Sequence, residues 1–261
     1  RHRRCGDRTQ APRPELIVST RAHRRLLSRA AEAVCLLCIM ASAASIALDD
    51  LRAGGSVQLE RPGVDGESNG GVGWGRLTSS YPDIVAWLEV EGTPISLPVV
   101  QPPPEKPHDW YLSHNAEGAW DALGCPYLDT RTDVRGRNFL VFAHHRFGSD
   151  LMFSPLVGAQ RKEVFDSLGS ARLSMPDGTS RAFRPLCVLE VDASFQAIQR
   201  FSFPGRSEFR SWLSDLAKEA SIASEEADVL IRRAERVLTL ITCSSPIPDQ
   251  RWRTIVVFTA I

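Results

Sequence analysis

The feature that most constrains the fold is a series of short apolar runs, rich in β-branched residues and separated by turn signals. Residues 138–143, 171–174 and 181–191 are three of these runs, and a Pro-Asp-Gly turn at residues 176–178 separates the last two. Each run is bounded by residues that favour turns. Many short strands with few helices predict a mostly β fold, in the form of a β-barrel with helical insertions.

The rest of the chain continues this pattern. Further strands are predicted at residues 95–100, 109–112, 125–128, 237–242 and 254–261, and a helical turn within residues 81–90 leads into the first strand. Short helices are predicted at residues 151–156 and 162–168. A longer helix is predicted at residues 207–220, because four large side chains recur there on one helical face: Phe209, Trp212, Leu213 and Leu216.

The N-terminal segment has a different composition. Residues 1–29 are rich in arginine, with only Asp7 and Glu15 as acidic residues, and residues 30–48 are apolar or small apart from Glu32 and two serines. A basic flank followed by such a run predicts a single transmembrane anchor with its N-terminus inside the cell. A cleaved signal peptide is the main alternative, because Ala-Ser-Ala at residues 41–43 resembles a peptidase site, and a buried core helix is the other.

This anchor defines the predicted organisation of the chain. Residues 1–29 form a basic cytoplasmic segment, residues 30–48 the span, residues 49–79 a polar, Gly-rich linker, and residues 80–261 an exported catalytic domain. Acidic and basic residues balance at 31 each, so the net charge gives no indication of a nucleic-acid partner.

The cysteines indicate a reactive thiol. Three of the six lie in the predicted exported part, namely Cys125, Cys187 and Cys243, and an odd number outside the cell indicates an unpaired thiol. Cys125 and Cys187 lie within apolar runs and are predicted to be small buried hydrophobes. The CxxC pair at Cys35 and Cys38 falls within the predicted span, so no metal or redox site is expected there.

Three side chains at the tips of predicted strands form a candidate catalytic site. Cys243 ends one β-rich run, Arg253 begins the next, and His144 ends a third, about a hundred residues upstream. A cysteine, a histidine and an arginine are the groups that a thiol transpeptidase needs, as nucleophile, proton carrier and oxyanion stabiliser.

Two assignments within this site have a neighbouring competitor. His144 directly ends its strand, whereas His145 points the opposite way by strand alternation and is expected to be a groove residue. Arg251 and Arg253 are two residues apart, so both face the same way and both can approach the thiol; Arg251 therefore stays the alternative to Arg253.

At these residues the chain resembles the sortase family of cysteine transpeptidases. Residues 239–243 match the family's TLxTC motif, and residues 253–257 resemble its last strand, which begins with arginine. Residues 142–144 match the family's pattern of an aromatic or aliphatic residue, a small residue and the catalytic histidine. Motifs at residues 111–115, 124–129 and 152–156 are most similar to class B. One departure is Ala143, where class B usually has glycine. The gapless match at residues 253–257 favours Arg253 over Arg251.

The resemblance implies an eight-stranded sortase-type barrel and a membrane-anchored cysteine transpeptidase, a thiol endopeptidase that passes its product to an amine. Cys243 is expected to be the nucleophile, His144 the proton donor and acceptor, and Arg253 the group that stabilises the substrate or oxyanion. No cofactor or metal is implied.

The implied partners are a secreted protein with a C-terminal sorting signal and an amine of a peptidoglycan precursor or a pilin lysine. Two other functions remain open: a catalytically silent, membrane-tethered binding module, and another exported thiol peptidase. Papain-like peptidases have their cysteine before their histidine, which is the reverse of the order here.

Overall fold

The computed structural model describes residues 34, 35, 38, 40, 59–63, 73–133, 136–146, 148–245 and 251–260. The chain divides into two units, residues 1–51 and 52–261, and every element below belongs to the second. Its strands are β1 (Ile84–Val90), β2 (Ser96–Val100), β3 (Tyr127–Leu128), β4 (Asn138–Phe142), β5 (Ala171–Ser174), β6 (Ser180–Asp192), β7 (Ile222–Ala223), β8 (Arg236–Cys243) and β9 (Trp252–Ala260). Its α-helices are α1 (Trp74–Ser80), α2 (Lys162–Ser167), α3 (Arg206–Glu219) and α4 (Ala227–Arg233).

Eight of these strands close into a barrel, as predicted. Their order is β5-β1-β2-β3-β4-β8-β9-β6, and the first part of β6 pairs back with β5. The short β7 adds to β6 outside this ring. Neighbouring strands are antiparallel except for β2–β3 and β4–β8, which are parallel. Closure leaves few unpaired edges, which accounts for the stability of a sheet built from such short strands.

Strand alternation sorts the apolar side chains of the sheet into two packed faces. The barrel interior is filled by residues such as Val141, Leu240 and Val256, all fully buried. The outer face of the same strands packs against α3 and α4, and Ile241 and Ile255 belong to this outer cluster. The face predicted for the long helix is confirmed, because the four side chains predicted to share it are the ones that α3 buries.

Two elements differ from the sequence prediction. Residues 109–112 form no strand: the residues Trp110–Leu112 make a 3₁₀ turn, in which Leu112 N–H donates to Asp109 O at 2.9 Å. A turn forms here instead of a strand because Trp110 N–H also donates to Pro107 O at 3.0 Å, so the segment satisfies its backbone donors locally. The helix predicted at 151–156 shrinks to a 3₁₀ turn at Ser154–Leu156, because Met152 takes a left-handed φ of 51° that no helix accommodates.

Three short elements were not predicted at all. Helix α1 falls within the predicted linker and packs Trp74 and Leu77 into a third cluster against the barrel. Helix α4 buries Leu230 and Ile231, and β7 is only two residues long. None of these three has enough residues to show a period in the sequence.

The predicted span at residues 30–48 lies almost wholly outside the described residues. Within the part of the chain that is described, no helix has both the length and the apolar character needed to cross a bilayer.

Closure through β5 can be tested with one leucine. Leu173 pairs with Leu88 of β1 and with Arg181 of β6, and only 1% of it is exposed. Because the Leu173→Ala change leaves a cavity at the closing strand, we expect it to lower the free energy of unfolding by about 2–5 kcal/mol in urea titrations. Leu151→Ala removes the same atoms at a site that is 44% exposed, so its loss should stay within about 0.5 kcal/mol.

Candidate active site

The register of three adjacent strands brings the predicted catalytic residues into one row. Cys243 on β8 lies directly opposite Arg253 on β9. On the other side of β8, Phe142 is the last residue of β4 and pairs with Ile241, and His144 follows Phe142 by two residues as Cys243 follows Ile241. The strand that carries the thiol therefore lies between the strand that leads to His144 and the strand that carries Arg253.

Alternation also puts the side chains of Cys243 and Arg253 on the same face. Ile241 and Ile255 belong to the outer cluster, and Cys243 and Arg253 are each two positions from one of them on the same strand. The row therefore lies on the outer face, where the strands end, beyond the cover of α3 and α4. Cys243 itself is partly exposed, as a nucleophile must be.

Hydrogen bonds fix the end of the strand that carries the thiol. The residue after the cysteine, Ser244, donates its N–H to Trp252 O at 3.1 Å, and its hydroxyl lies 3.0 Å from the hydroxyl of Thr254. These bonds continue the β8–β9 pairing one residue past Cys243, so the thiol is carried on ordered backbone.

The ring of His144 is oriented by a backbone carbonyl. Its Nε2 lies 2.7 Å from Leu112 O, and its own carbonyl accepts from Phe153 N–H at 3.0 Å. A carbonyl oxygen only accepts, so Nε2 carries the hydrogen. The proton that can be exchanged with a substrate is therefore the one on Nδ1.

The neighbouring His145 lies against the backbone of the nucleophile. Burial lowers the pKa of His145, and hydrogen bonds with the backbone of Cys243 and Ser245 partly oppose this effect. The ring therefore lies close to the main chain of these two residues. That His145 is a groove residue stays a prediction.

The structure distinguishes the two candidate arginines by their partners. Arg251 donates to Asp192 through Nε at 2.9 Å and Nη2 at 2.8 Å. Bonds from Ser194 and then the guanidinium of Arg251 hold the pKa of the Asp192 carboxyl at about 2, so the pair stays ionised. Arg253 faces Cys243 across the ladder, with Nη1 3.1 Å from Trp252 O. Its role in catalysis stays a prediction.

The two other cysteines of the predicted exported part are buried. Cys125 is 5% and Cys187 0% exposed. Burial raises the pKa of both thiols, that of Cys187 to about 12. Cys243 is therefore the accessible thiol among the described residues of the barrel unit, and no group of three or more His, Cys, Asp or Glu side chains among them is arranged to hold a metal.

The group that orients His144 is not predictable from the sequence. Leu112 contributes a main-chain oxygen, which no residue pattern reports, and it lies in the segment that was predicted as a strand. Gly124 packs directly against it: with φ at +62°, a Cβ there would lie 2.2 Å from Tyr111 O and 2.8 Å from Leu112 O. Only glycine permits this approach.

Comparisons with known proteins point to one family. No family model matches the chain. Sortase B of Staphylococcus aureus (strain NCTC 8325 / PS 47) is 23% identical over 182 residues, which cover 67% of this chain and 69% of that protein.

Solved structures match at the level of the fold. Sortase B of Clostridium perfringens is 25% identical, with a TM-score of 0.61, over 72% of this chain and 98% of that chain. A Staphylococcus aureus sortase B–substrate complex is 21% identical, with a TM-score of 0.62, and the match covers 72% of this chain and 84% of that chain. A sortase B complexed with triglycine is 21% identical, with a TM-score of 0.61, and the match covers 72% of this chain and 85% of that chain. The predicted resemblance to sortases, most of all to class B, is confirmed, and fold and homology together support a sortase-type transpeptidase.

The contact between Gly124 and Leu112 can be tested with a matched pair of glycines. Gly124→Ala combines left-handed strain with a clash against two carbonyls, whereas Gly178→Ala has the strain at φ +81° with nothing within 4 Å. We expect unfolding free energies to fall by about 1 kcal/mol for Gly178→Ala and by about 2 kcal/mol or more for Gly124→Ala. Imidazole ¹⁵N NMR should show a changed His144 ring in the Gly124 variant alone. Equal losses, with the ring unchanged in both, would contradict this contact.

Proposed function

We propose that this chain, most like the class B sortases in sequence and in fold, cleaves a C-terminal sorting motif of secreted surface proteins and transfers the product to an amine. The observation that carries the proposal is the pairing of Cys243 with Arg253 across β8 and β9, with His144 two residues past the end of β4, the strand on the other side of β8. A partly exposed thiol with an imidazole on one side and a guanidinium on the other is an arrangement suited to acyl transfer.

The first half-reaction forms a thioester. The sulfur of Cys243 attacks the carbonyl carbon of a threonine in the sorting motif, and the bond from that carbon to the next residue's nitrogen breaks. A thiol is a weak nucleophile until it loses its proton, and cationic neighbours favour the thiolate. His144 gives its Nδ1 proton to the departing nitrogen, which leaves as an amine.

The second half-reaction reverses these proton transfers. An acceptor amine attacks the thioester, passes a proton to Nδ1 of His144, and releases Cys243 as a thiolate. Throughout both steps the Nε2–H bond to Leu112 O holds the ring in place, so the same nitrogen donates and accepts. No cofactor or metal takes part.

Arg253 has the position of an electrostatic stabiliser. Directly across the ladder from Cys243, its guanidinium can donate to the oxyanion that forms as sulfur attacks, or to the substrate backbone that precedes it. Arg251 is bound to Asp192, and Arg253 is the arginine whose backbone pairs with that of Cys243, which favours Arg253 for this role.

The partners and the location follow from the same proposal. The acceptor amine is that of a peptidoglycan precursor or a pilin lysine, and the triglycine complex of a related sortase B supports a glycine-type amine. Residues 30–48 anchor the chain in the membrane with its N-terminus inside and residues 80–261 outside. The basic run at residues 1–29 supports this orientation.

The chemistry is tested by trapping the thioester and exchanging it. The full chain is incubated with peptides that carry a fixed threonine within randomised flanks, with triglycine as acceptor, and products are read by mass spectrometry. We expect an acyl adduct on Cys243 and a triglycine-ligated product. Cys243→Ala and His144→Ala should form neither. Cleavage that survives in Cys243→Ala would point to another nucleophile, and a wild-type chain that forms no adduct with any peptide would favour a silent binding module.

The two arginines supply a matched control. Arg253→Ala should lower kcat roughly a hundredfold to a thousandfold, because it removes a charged donor from the oxyanion. Arg251→Ala breaks only the bond to Asp192 and should leave kcat within about twofold. The reverse result would assign the role to Arg251.

The anchor is tested by cell fractionation. We expect the full chain to stay with membranes after a high-salt wash and to be extracted by detergent, because the predicted span is held by burial in the bilayer and not by charge. A chain that lacks residues 1–48 should cleave peptide at the same rate yet anchor less surface protein in cells, since tethering raises the effective concentration near emerging substrates. Equal anchoring by both chains would refute the role of the span.

A further inference from the structure

We propose that Tyr111 is a positioning residue for His144, because its buried hydroxyl, bonded to Asp83, fixes the turn that presents the Leu112 carbonyl to the imidazole. The proposal rests on the proposed function only in giving His144 a catalytic role. Three sets of contacts support the proposal: the bond from the turn to His144, and the bonds that hold the turn from each of its two sides.

The first link is the bond between Leu112 O and Nε2 of His144, at 2.7 Å. In many catalytic sites a third group orients the base, and this group is commonly a carboxylate side chain. Here a main-chain carbonyl occupies that position, in a 3₁₀ turn of only three residues. Such a short turn has few internal bonds, so its geometry depends on what holds it from outside.

The second link is the bond that holds the turn from one side. Tyr111, in the middle of the turn, is 1% exposed, and its hydroxyl donates to Asp83 Oδ2. Burial, followed by the adjacent Asp83, raises the pKa of Tyr111, so the phenol keeps the proton that it donates.

Lys106 completes this side of the turn. Its Nζ lies 3.6 Å from Asp83 Oδ2 and 5.6 Å from the centre of the Tyr111 ring. The ammonium balances the carboxylate and covers the aromatic face, so Tyr111 is held by its hydroxyl and by its ring.

The third link holds the turn from the opposite side. Cys125 N–H donates to Tyr111 O at 2.9 Å, and Asp121 N–H donates to Ser113 O at 2.9 Å. Gly124, between these two donors, contacts the carbonyls of Tyr111 and Leu112. The Leu112 carbonyl thus lies between two fixed segments, and the Tyr111–Asp83 bond is the side-chain bond that holds the middle residue of the turn.

The decisive variant is Tyr111→Phe in the full chain, which keeps the ring and removes the hydroxyl. A hydrogen bond to a charged group corresponds to about tenfold to a hundredfold in rate. We therefore expect kcat for the trapped peptide with triglycine to fall by about that factor while KM stays within about twofold. In wild-type protein, imidazole ¹⁵N NMR should show a His144 ring with Nε2 protonated, and in the variant a mixture of tautomers.

A matched control uses another tyrosine. Tyr81→Phe removes a hydroxyl that lies 3.5 Å from an exposed carboxylate, that of Glu117, and it should change neither kcat nor the His144 ring signals. If Tyr111→Phe does not fold, Asp83→Asn is the second variant. It keeps an acceptor oxygen for the phenol but loses the charge, so it should give a smaller loss in kcat and a partial tautomer change.

The outcomes separate this inference from the proposed function. A folded Tyr111→Phe with wild-type kcat and one His144 tautomer would overturn the positioning role, even if its melting temperature falls. The NMR readout needs no turnover, so it tests the positioning role even in a chain that forms no acyl-enzyme. A tautomer change in such a chain would support the positioning role while the transpeptidase proposal fails.

Discussion

The register of β8 against β4 and β9 is the constraint on which the candidate site depends. Side chains alternate along a strand, so a slip of one residue in either pairing would turn Cys243 into the barrel or move it away from His144 and Arg253. Parallel pairing of β4 with β8 requires a long crossover, and that crossover supplies β5 to β7 with α3 and α4. These helices bury the outer face of the sheet but stop before the strand ends, which leaves the row of three residues accessible.

Position within the fold, more than residue type, separates the cysteines of the barrel. Cys187 lies in the middle of β6 under the outer cluster, and Cys125 is enclosed by the third cluster, so burial keeps both thiols protonated. Cys243 is the last residue of its strand. The arginines separate in the same way: Arg251 is neutralised by Asp192, whereas Arg253 is placed across from sulfur.

The proposed proton carrier depends on main chain more than on side chains. Because the Leu112 carbonyl orients His144, a substitution of the leucine side chain leaves the acceptor in place, and the orientation depends instead on how the turn is held. Gly124 and the Tyr111–Asp83 pair supply that support from two sides. Such an arrangement links the geometry of the site to the packing of a loop some distance from the thiol.

The sequence by itself determined the mostly β class, the barrel and the apolar face of α3, and its motifs named three candidate residues for the site, since periodicity and motifs are local properties of a chain. It did not determine the 3₁₀ turn at Trp110–Leu112, the short helices α1 and α4, or the ion pair of Arg251 with Asp192. The ion pair joins segments far apart in the chain, the two helices are too short to show a period, and the turn presents a backbone carbonyl that every residue carries alike. Only the tertiary structure decides which carbonyl meets His144 and which carboxylate binds Arg251.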